Sequence, residues 1–288
     1  MIRKFVEFRV ENGEKIFDVK ETLSNLDFEI INKCFSELAN YNGLKTLFQM
    51  SIDNYSDLIR FLEREVVGLE NIRYVGHHTN RFLINYLSST KMFIEHTEKK
   101  IDKIYGEDSE EFIRWKKATA EEYDKHFSYR FLYQLRNYTQ HYGLPLGSIS
   151  SSLVETNGVG SQFTKVSFRK EILLNTSFNW KKVKTDIENR PEEFSVVETV
   201  NEYNRCMSRL YQVALLIIGE KVISAIQDYA KLLARLNNKG VPHYMVFKDY
   251  KDLSNPKKYG KAKRLPFKEV DECLQEMSKY GILNTKSG

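Results

Sequence analysis

Residues 123–147 have the sequence YDKHFSYRFLYQLRNYTQHYGLPLG, and the pattern in this stretch decides the fold class. At about 100° of rotation per residue, Phe131, Tyr138 and Tyr142 fall on one helical stripe. A glycine and a proline follow, and both are usual stop signals for a helix. The stretch therefore predicts one amphipathic helix over about 123–142, packed through this stripe against other helices.

The polar face of the predicted helix combines a cation, an amide and an imidazole. Asn137 and His141 are i,i+4 neighbours, and Arg136 lies roughly 140° around the helix from His141. His141 is in the last turn, where the helix dipole favours a protonated ring. An arginine that holds a phosphate and a histidine that moves a proton suffice to cleave a phosphodiester through the RNA 2′-hydroxyl. A solvated arginine and a helix-ending histidine would give the same pattern.

The segment RNYTQH, residues 136–141, resembles the R-x(4–6)-H signature of the HEPN superfamily of helical bundles. The asparagine directly after the arginine is the commonest choice in members thought to be active, and LRNYTQHYGLPL is similar to bacterial HEPN-like proteins. The resemblance implies a homodimer in which the two motif helices face each other. It further implies that Arg136 grips the scissile phosphate, that His141 is the acid or base, and that Asn137 orients His141 or binds the phosphate.

The function that this resemblance implies is a metal-independent endoribonuclease without a cofactor. Its products would carry a 2′,3′-cyclic phosphate and a 5′-hydroxyl. Its context would be a toxin or a phage-defence effector, with RNA as substrate and an antitoxin or regulatory protein as partner. Two alternatives stay open: a non-catalytic helical RNA-binding or protein-interaction module, and a structural adaptor that binds a helical partner through the apolar seam of residues 83–104.

Composition and cysteine usage predict a soluble cytoplasmic protein. With 41% hydrophobic and 29% charged residues, the chain has an ordinary globular composition. Its three cysteines are widely separated and form no C-x-x-C pair, which argues against disulfides and against zinc. The N-terminus is too charged for a signal peptide, and the longest apolar run, Val213–Ile218, is too short to cross a membrane.

Upstream of the motif, the sequence predicts a hairpin followed by helices. Residues 2–19 predict two strands on either side of Asn12-Gly13, the dipeptide best suited to a type I′ turn. Helices follow, and Asn42-Gly43 predicts a break in them. The strongest of them, Tyr74 to Tyr105, has a near-heptad apolar seam that is typical of an antiparallel bundle.

Downstream of the motif, the predicted order is loop, strand and long helix. Gly147–Ser152 has loop composition, and Gln162–Leu174 has strand character. Pro191 then opens a long helix, since proline is favourable in a first helical turn. The predicted fold is mainly α: an HEPN-like bundle with a small N-terminal hairpin and a short β segment after the motif helix. Its predicted parts are residues 1–70 (hairpin and helices packing on the bundle), 71–236 (bundle) and 237–288 (basic segment).

The C-terminal segment is the most basic part of the chain. Between Lys239 and Lys268 there are nine Lys or Arg against two Asp, with tyrosines interleaved. Such a segment can follow an RNA backbone and stack on its bases, and it can equally be a solvated tail. The candidate RNA-binding residues are Arg130, Lys257, Lys258, Lys261, Lys263 and Arg264.

Overall fold

The computed structural model describes residues 2–64, 66–67, 70–156, 159–247 and 262–283. Within these ranges the protein is mainly helical, as predicted, and has a pair of strands at the N-terminus. The helices are α1 (Asn25–Leu62), α2 (Ile72–Tyr105), α3 (Glu110–Lys125), α4 (Phe127–His141), α5 (Lys170–Leu174), α6 (Val183–Glu188), α7 (Val196–Arg235) and α8 (Lys268–Lys279).

Two small antiparallel sheets accompany the helices. Their strands are β1 (Ile2–Glu11), β2 (Glu14–Thr22), β3 (Val66–Val67), β4 (Ser148–Thr156), β5 (Val159–Arg169), β6 (Glu193–Ser195), β7 (Val241–Phe247) and β8 (Lys263–Arg264). The first sheet has the order β2-β1-β7-β8, and the second has the order β3-β5-β4, with a further strand, β6, paired to β5.

The contacts between residues divide the chain into two compact units. Unit 1 consists of residues 1–43 and 215–288, and unit 2 consists of residues 44–214. The predicted three-part division differs from this grouping, because the hairpin and the C-terminal segment share unit 1. The predicted motif helix and the strongest predicted helix both lie in unit 2.

The N-terminal hairpin is confirmed and is longer than predicted. Asn12 and Gly13 have φ angles of 51° and 83°, as a type I′ turn requires at its two central positions. Its first strand, β1, also pairs through Ile2–Phe8 with β7 from the C-terminal part of the chain. The hairpin therefore belongs to a four-stranded sheet, whose extra strands could not be seen in the local sequence pattern.

Ser24 and Asp27 cap the start of the first helix. The hydroxyl of Ser24 accepts from the backbone N–H of Asp27, and the Asp27 carboxylate accepts from that of Ser24, at 3.1 and 2.9 Å.

The predicted break at Asn42-Gly43 is wrong, because α1 continues through both residues. A glycine in a helix interior costs only about 1 kcal/mol, and buried leucines at 38 and 44 outweigh it.

The second helix has the bounds that its seam predicts, to within two residues. Asn71 caps its start by accepting from the backbone N–H of Arg73, and Gly106, with a φ of 92°, follows its end. The seam residues that are buried are Leu83, Leu87, Thr90, Ile94, Thr97 and Ile101.

The region after the motif contains more β structure than its composition predicts. Residues 148–152, predicted as loop, belong to β4, which pairs with β5 over nine residues. Gly147 precedes this strand, and a Cβ there would lie 2.2 Å from the Arg169 nitrogen, so the close approach requires glycine. The predicted strand over 162–174 is confirmed only as far as Arg169, because α5 begins at Lys170.

The seventh helix begins later than predicted. Pro191 precedes β6, and the helix starts at Val196, where the Ser195 hydroxyl accepts from the backbone N–H of Glu198 at 3.2 Å. Among the described residues, α7 is the one helix long and apolar enough to span a membrane by length and composition. Of its most apolar 18 residues, 56% are buried inside the protein, and a buried core helix has the same length and composition.

Candidate functional site

An aromatic cluster in unit 2 fixes α4. The ring of Phe131, which is fully buried, stacks on Trp180 at 5.8 Å and meets Phe168 edge-on at 5.0 Å. About two turns later, Tyr138 stacks on the same Trp180 at 5.3 Å. The predicted apolar stripe is therefore the packed face, although Tyr142 at its end is 49% exposed. This anchoring places the polar face of the helix toward solvent.

The predicted helix over 123–142 is in fact two helices that meet at His126. This residue has extended backbone angles (φ −119°, ψ 116°) and caps both α3 and α4. Arg130 stabilises the junction by donating to the carbonyl oxygens of Tyr123 and Asp124, both at 2.7 Å. Carbonyls in the last turn of a helix lack intrahelical partners, so the guanidinium completes the end of α3. The predicted motif helix therefore begins four residues too early, because α4 starts at Phe127.

The predicted catalytic residues occupy the last two turns of α4. Arg136 is half-buried and donates to the side-chain oxygen of Gln140, while its Nε is buried without a partner among the described residues. Asn137 is also half-buried. His141 is exposed at the last helical position, and in the described part of the chain its imidazole forms no hydrogen bond or ion pair. The guanidinium and the imidazole lie on different flanks of one helix, as predicted from their spacing.

Lys91, which was not predicted from the sequence, lies beside the motif residues. The Nζ of Lys91 on α2 donates to Oδ1 of Asn137 at 3.1 Å and lies 5.5 Å from the centre of the Tyr133 ring. It also faces Glu95 at 3.6 Å, and its side chain is 16% exposed. Because Lys91 and Asn137 are far apart in sequence, only the packing of α2 on α4 brings a second cation beside the motif.

A second polar group surrounds the start of α4. The Nδ1 of His126 lies 3.0 Å from a carboxylate oxygen of Glu202, and its Nε2 lies 3.0 Å from a guanidinium nitrogen of Arg209. A guanidinium only donates, so Nε2 accepts and the ring proton resides on Nδ1, where it is donated to Glu202. Arg209 also forms two 2.7 Å bonds to the carboxylate of Glu122. These residues form an interlocked ion-pair network.

The network controls the protonation of its members. Burial alone would raise the pKa of Glu122, but hydrogen bonds from Arg209 and Cys206 outweigh burial and hold that pKa below its ordinary value. The pKa of Glu202 is lowered likewise, against burial, chiefly by its bond to His126. Burial and the bond to Glu122 raise the pKa of the Cys206 thiol, so that it is protonated at neutral pH.

Three of these residues have the donor atoms of a metal site. The possible ligand atoms of Glu122, His126 and Cys206 lie within 4.8 Å of one another, and zinc accepts this donor set. However, the guanidinium of Arg209 contacts all three, at 2.7, 3.0 and 3.3 Å respectively. A cation of the protein already neutralises the cluster, and the thiol retains its proton, so the arrangement is better suited to holding helices together than to holding a metal.

The predicted RNA-binding residues fall into three groups. Arg130 is engaged at the helix junction, where its Nε also donates to Asp186 at 2.9 Å, so a phosphate would have to compete with these bonds. Lys263 and Arg264 are exposed on β8 in unit 1. Lys257, Lys258 and Lys261 lie outside the described residues.

Comparison with protein-family models, curated proteins and solved structures gives no match to this chain.

Proposed function

We propose that the chain is a metal-independent endoribonuclease whose site is formed by the last two turns of α4. The observation that carries the proposal is the imidazole of His141, which has no hydrogen-bond or ion-pair partner among the described residues and lies at the exposed end of a well-anchored helix that also presents Arg136 and Asn137. An exposed imidazole can exchange protons with a substrate, and a helix fixed by buried rings keeps it in position.

Each polar group has a distinct role in this mechanism. Arg136 binds the scissile phosphate and stabilises its developing charge, because a guanidinium can hold two phosphate oxygens at once. His141 removes the proton of the 2′-hydroxyl or protonates the leaving 5′-oxygen. Asn137 contacts the phosphate or His141, and the ammonium of Lys91 orients its amide. The products carry a 2′,3′-cyclic phosphate and a 5′-hydroxyl.

The site is completed by a second copy of the chain. In one copy Arg136 and His141 lie on different flanks of the helix, whereas a two-fold axis beside the end of α4 would place both residue types around one cleft. The residues that follow the helix suit such a contact, since Tyr142 and Leu144 are 49% and 63% exposed. A two-fold contact at this end of the helix would remove both apolar side chains from water.

The direct test is RNA cleavage in EDTA by the wild-type protein and by the Arg136→Ala and His141→Ala variants. We expect both variants to lose cleavage while their thermal unfolding is unchanged. A substrate of 2′-O-methyl RNA should not be cut by any of them, because it lacks the attacking hydroxyl. Equal activity of the three proteins on RNA, or wild-type cleavage of the methylated substrate, would overturn the proposal.

The shared site has its own test. Mixed dimers of Arg136→Ala and His141→Ala chains contain one cleft with an intact arginine from one copy and an intact histidine from the other. Unfolding and refolding the two inactive variants together should restore about a quarter of the wild-type activity, because half of the dimers are mixed and each keeps one of the two arginine–histidine pairs of a wild-type dimer. If the site lies within a single copy, the mixture will be as inactive as its components.

A further inference from the structure

Four aromatic rings form a partly exposed cluster at the beginning of α2, away from the motif residues. Tyr74 and His78 lie 4.2 Å apart between ring centres, and Phe61 at the end of α1 lies 5.6 Å from His78 and 5.4 Å from Phe82. Tyr74, His78 and Phe82 follow each other at intervals of four, so they occupy one face of the helix. All of them belong to unit 2.

Arginines accompany these rings. The guanidinium of Arg81 lies 4.5 Å from the centre of the Phe82 ring, and that of Arg64 lies 3.5 Å from the centre of the Phe61 ring. Arg64 is also paired with Glu70 at 2.7 Å, so its charge is neutralised within the protein. Arg81 is exposed and forms no ion pair with any residue that the structure describes. We call the four rings, together with Arg81 and the exposed Arg73 beside Tyr74, the aromatic–arginine patch.

The exposure of the patch distinguishes it from the core. Tyr74 is 48% exposed, and Arg73 and His77 beside it are exposed as well. Arg73, like Arg81, enters no ion pair within the described part of the chain. The rings are tilted against one another, yet they leave an aromatic surface in contact with water, flanked by two guanidinium groups that pair with none of the described acids. Core packing does not require this arrangement.

The histidine of the patch contributes an uncharged ring. Burial and the nearby positive charges, first among them Arg81, lower the pKa of His78 below its ordinary value. At neutral pH the imidazole is therefore neutral and available for stacking, while the positive charge of the patch resides on its arginines.

We propose that the aromatic–arginine patch binds single-stranded nucleic acid. Bases stack on the exposed ring of Tyr74 and on the neighbouring rings, and Arg73 and Arg81 contact the phosphates between those bases. Stacking needs only the face of a base, so the patch accepts many sequences, and it requires unpaired bases, so duplexes bind more weakly. This inference concerns binding alone. It does not depend on cleavage at Arg136 and His141.

A DNA probe separates this inference from the proposed cleavage, because DNA lacks the 2′-hydroxyl. The experiment measures the fluorescence anisotropy of fluorescein-labelled oligo(dT), with the full-length protein and a range of salt concentrations. Tyr74→Ala should weaken binding by about fivefold or more, the lower end of what one base stack contributes. Arg81→Ala should weaken binding and lower the slope of log K against log salt by about 0.7, the value for one phosphate contact on a single strand.

Matched variants control for changes of fold and of total charge. Tyr74→Phe retains the ring and should bind as the wild type does. Arg114→Ala removes an equally exposed arginine from α3 and should leave the salt slope unchanged. The inference is overturned if Tyr74→Ala and Arg81→Ala bind within twofold of the wild type, or if a blunt duplex competes as well as the single strand. Loss of binding in these variants with RNA cleavage of short substrates retained would support the patch and the proposed function separately.

Discussion

The two ends of α4 carry the same types of side chain in opposite circumstances. At its start, His126 bridges Glu202 and Arg209, and Arg130 holds a carboxylate and two carbonyl oxygens. At its end, Arg136 donates to its helical neighbour Gln140, and neither Arg136 nor His141 forms an ion pair with a described residue. An imidazole and a guanidinium thus serve structure where acids pair with them, and stay available for a ligand where no described acid does.

The largest expected effect separates the two histidines. His141→Ala should reduce RNA cleavage by about 10²–10⁴-fold, the usual contribution of a general acid or base, with little change in stability. His126→Ala should instead lower the melting temperature and leave the cleavage rate per folded molecule close to that of the wild type. Measuring the cleavage rate and the thermal unfolding of both variants tests which histidine is catalytic and which is structural. A catalytic loss confined to His126→Ala would exchange the roles assigned to the two ends of the helix.

The two arginines should differ in the free energy of unfolding. Arg130→Ala leaves Asp186 and two carbonyl oxygens without their donor, which should destabilise the protein by about 1–3 kcal/mol. Arg136→Ala removes only a contact to a helical neighbour, so we expect a change within about 0.5 kcal/mol. Urea unfolding of the two variants provides the comparison. Equal losses would mean that Arg136 is as structural as Arg130.

The sequence predicted the end of α4 better than its start. The spacing of Arg136, Asn137 and His141 depends only on helical geometry, and the structure places these residues on the polar flanks as predicted. The predicted start of α4, at about residue 123, is four residues early, and the partners that hold the junction at His126, Glu202 and Arg209, lie on a distant helix. The same reason explains why Lys91 and the strand β7 were missed. Local periodicity specifies which face of a helix packs, whereas partners distant in the chain determine where that helix stops.

The contribution of the ion-pair network at the start of α4 to the free energy of unfolding should depend on pH. Its hydrogen bonds hold the pKa of Glu122 below the ordinary value of 4.5. A lowered pKa in the folded state means that the carboxylate stabilises the fold above that ordinary value, and that this stability is lost as the pH falls through the folded pKa.

Glu122→Gln should therefore destabilise the protein by about 1 kcal/mol near neutral pH, a modest figure because Arg209 is partly exposed and its charge is screened. The difference between the variant and the wild type should shrink as the pH falls below 4.5. Urea unfolding across this pH range measures it. A difference that is independent of pH would show that the charge of Glu122 plays no part. Glu121→Gln, at an exposed neighbouring position paired with Lys125, is the matched control.

The smallest expected effect concerns Lys91, which we interpret as a positioning residue for Asn137. Lys91→Met keeps the aliphatic stem and removes the ammonium, so cleavage should fall by only about fivefold, the equivalent of one hydrogen bond. Lys116→Met, which breaks an exposed pair with Glu98, should not affect cleavage. If Lys91 acts through the amide, its substitution will have no further effect in an Asn137→Ala background, because the two changes remove the same interaction. If the two losses multiply instead, Lys91 contacts the RNA itself, and the end of α4 has two independent phosphate-binding cations.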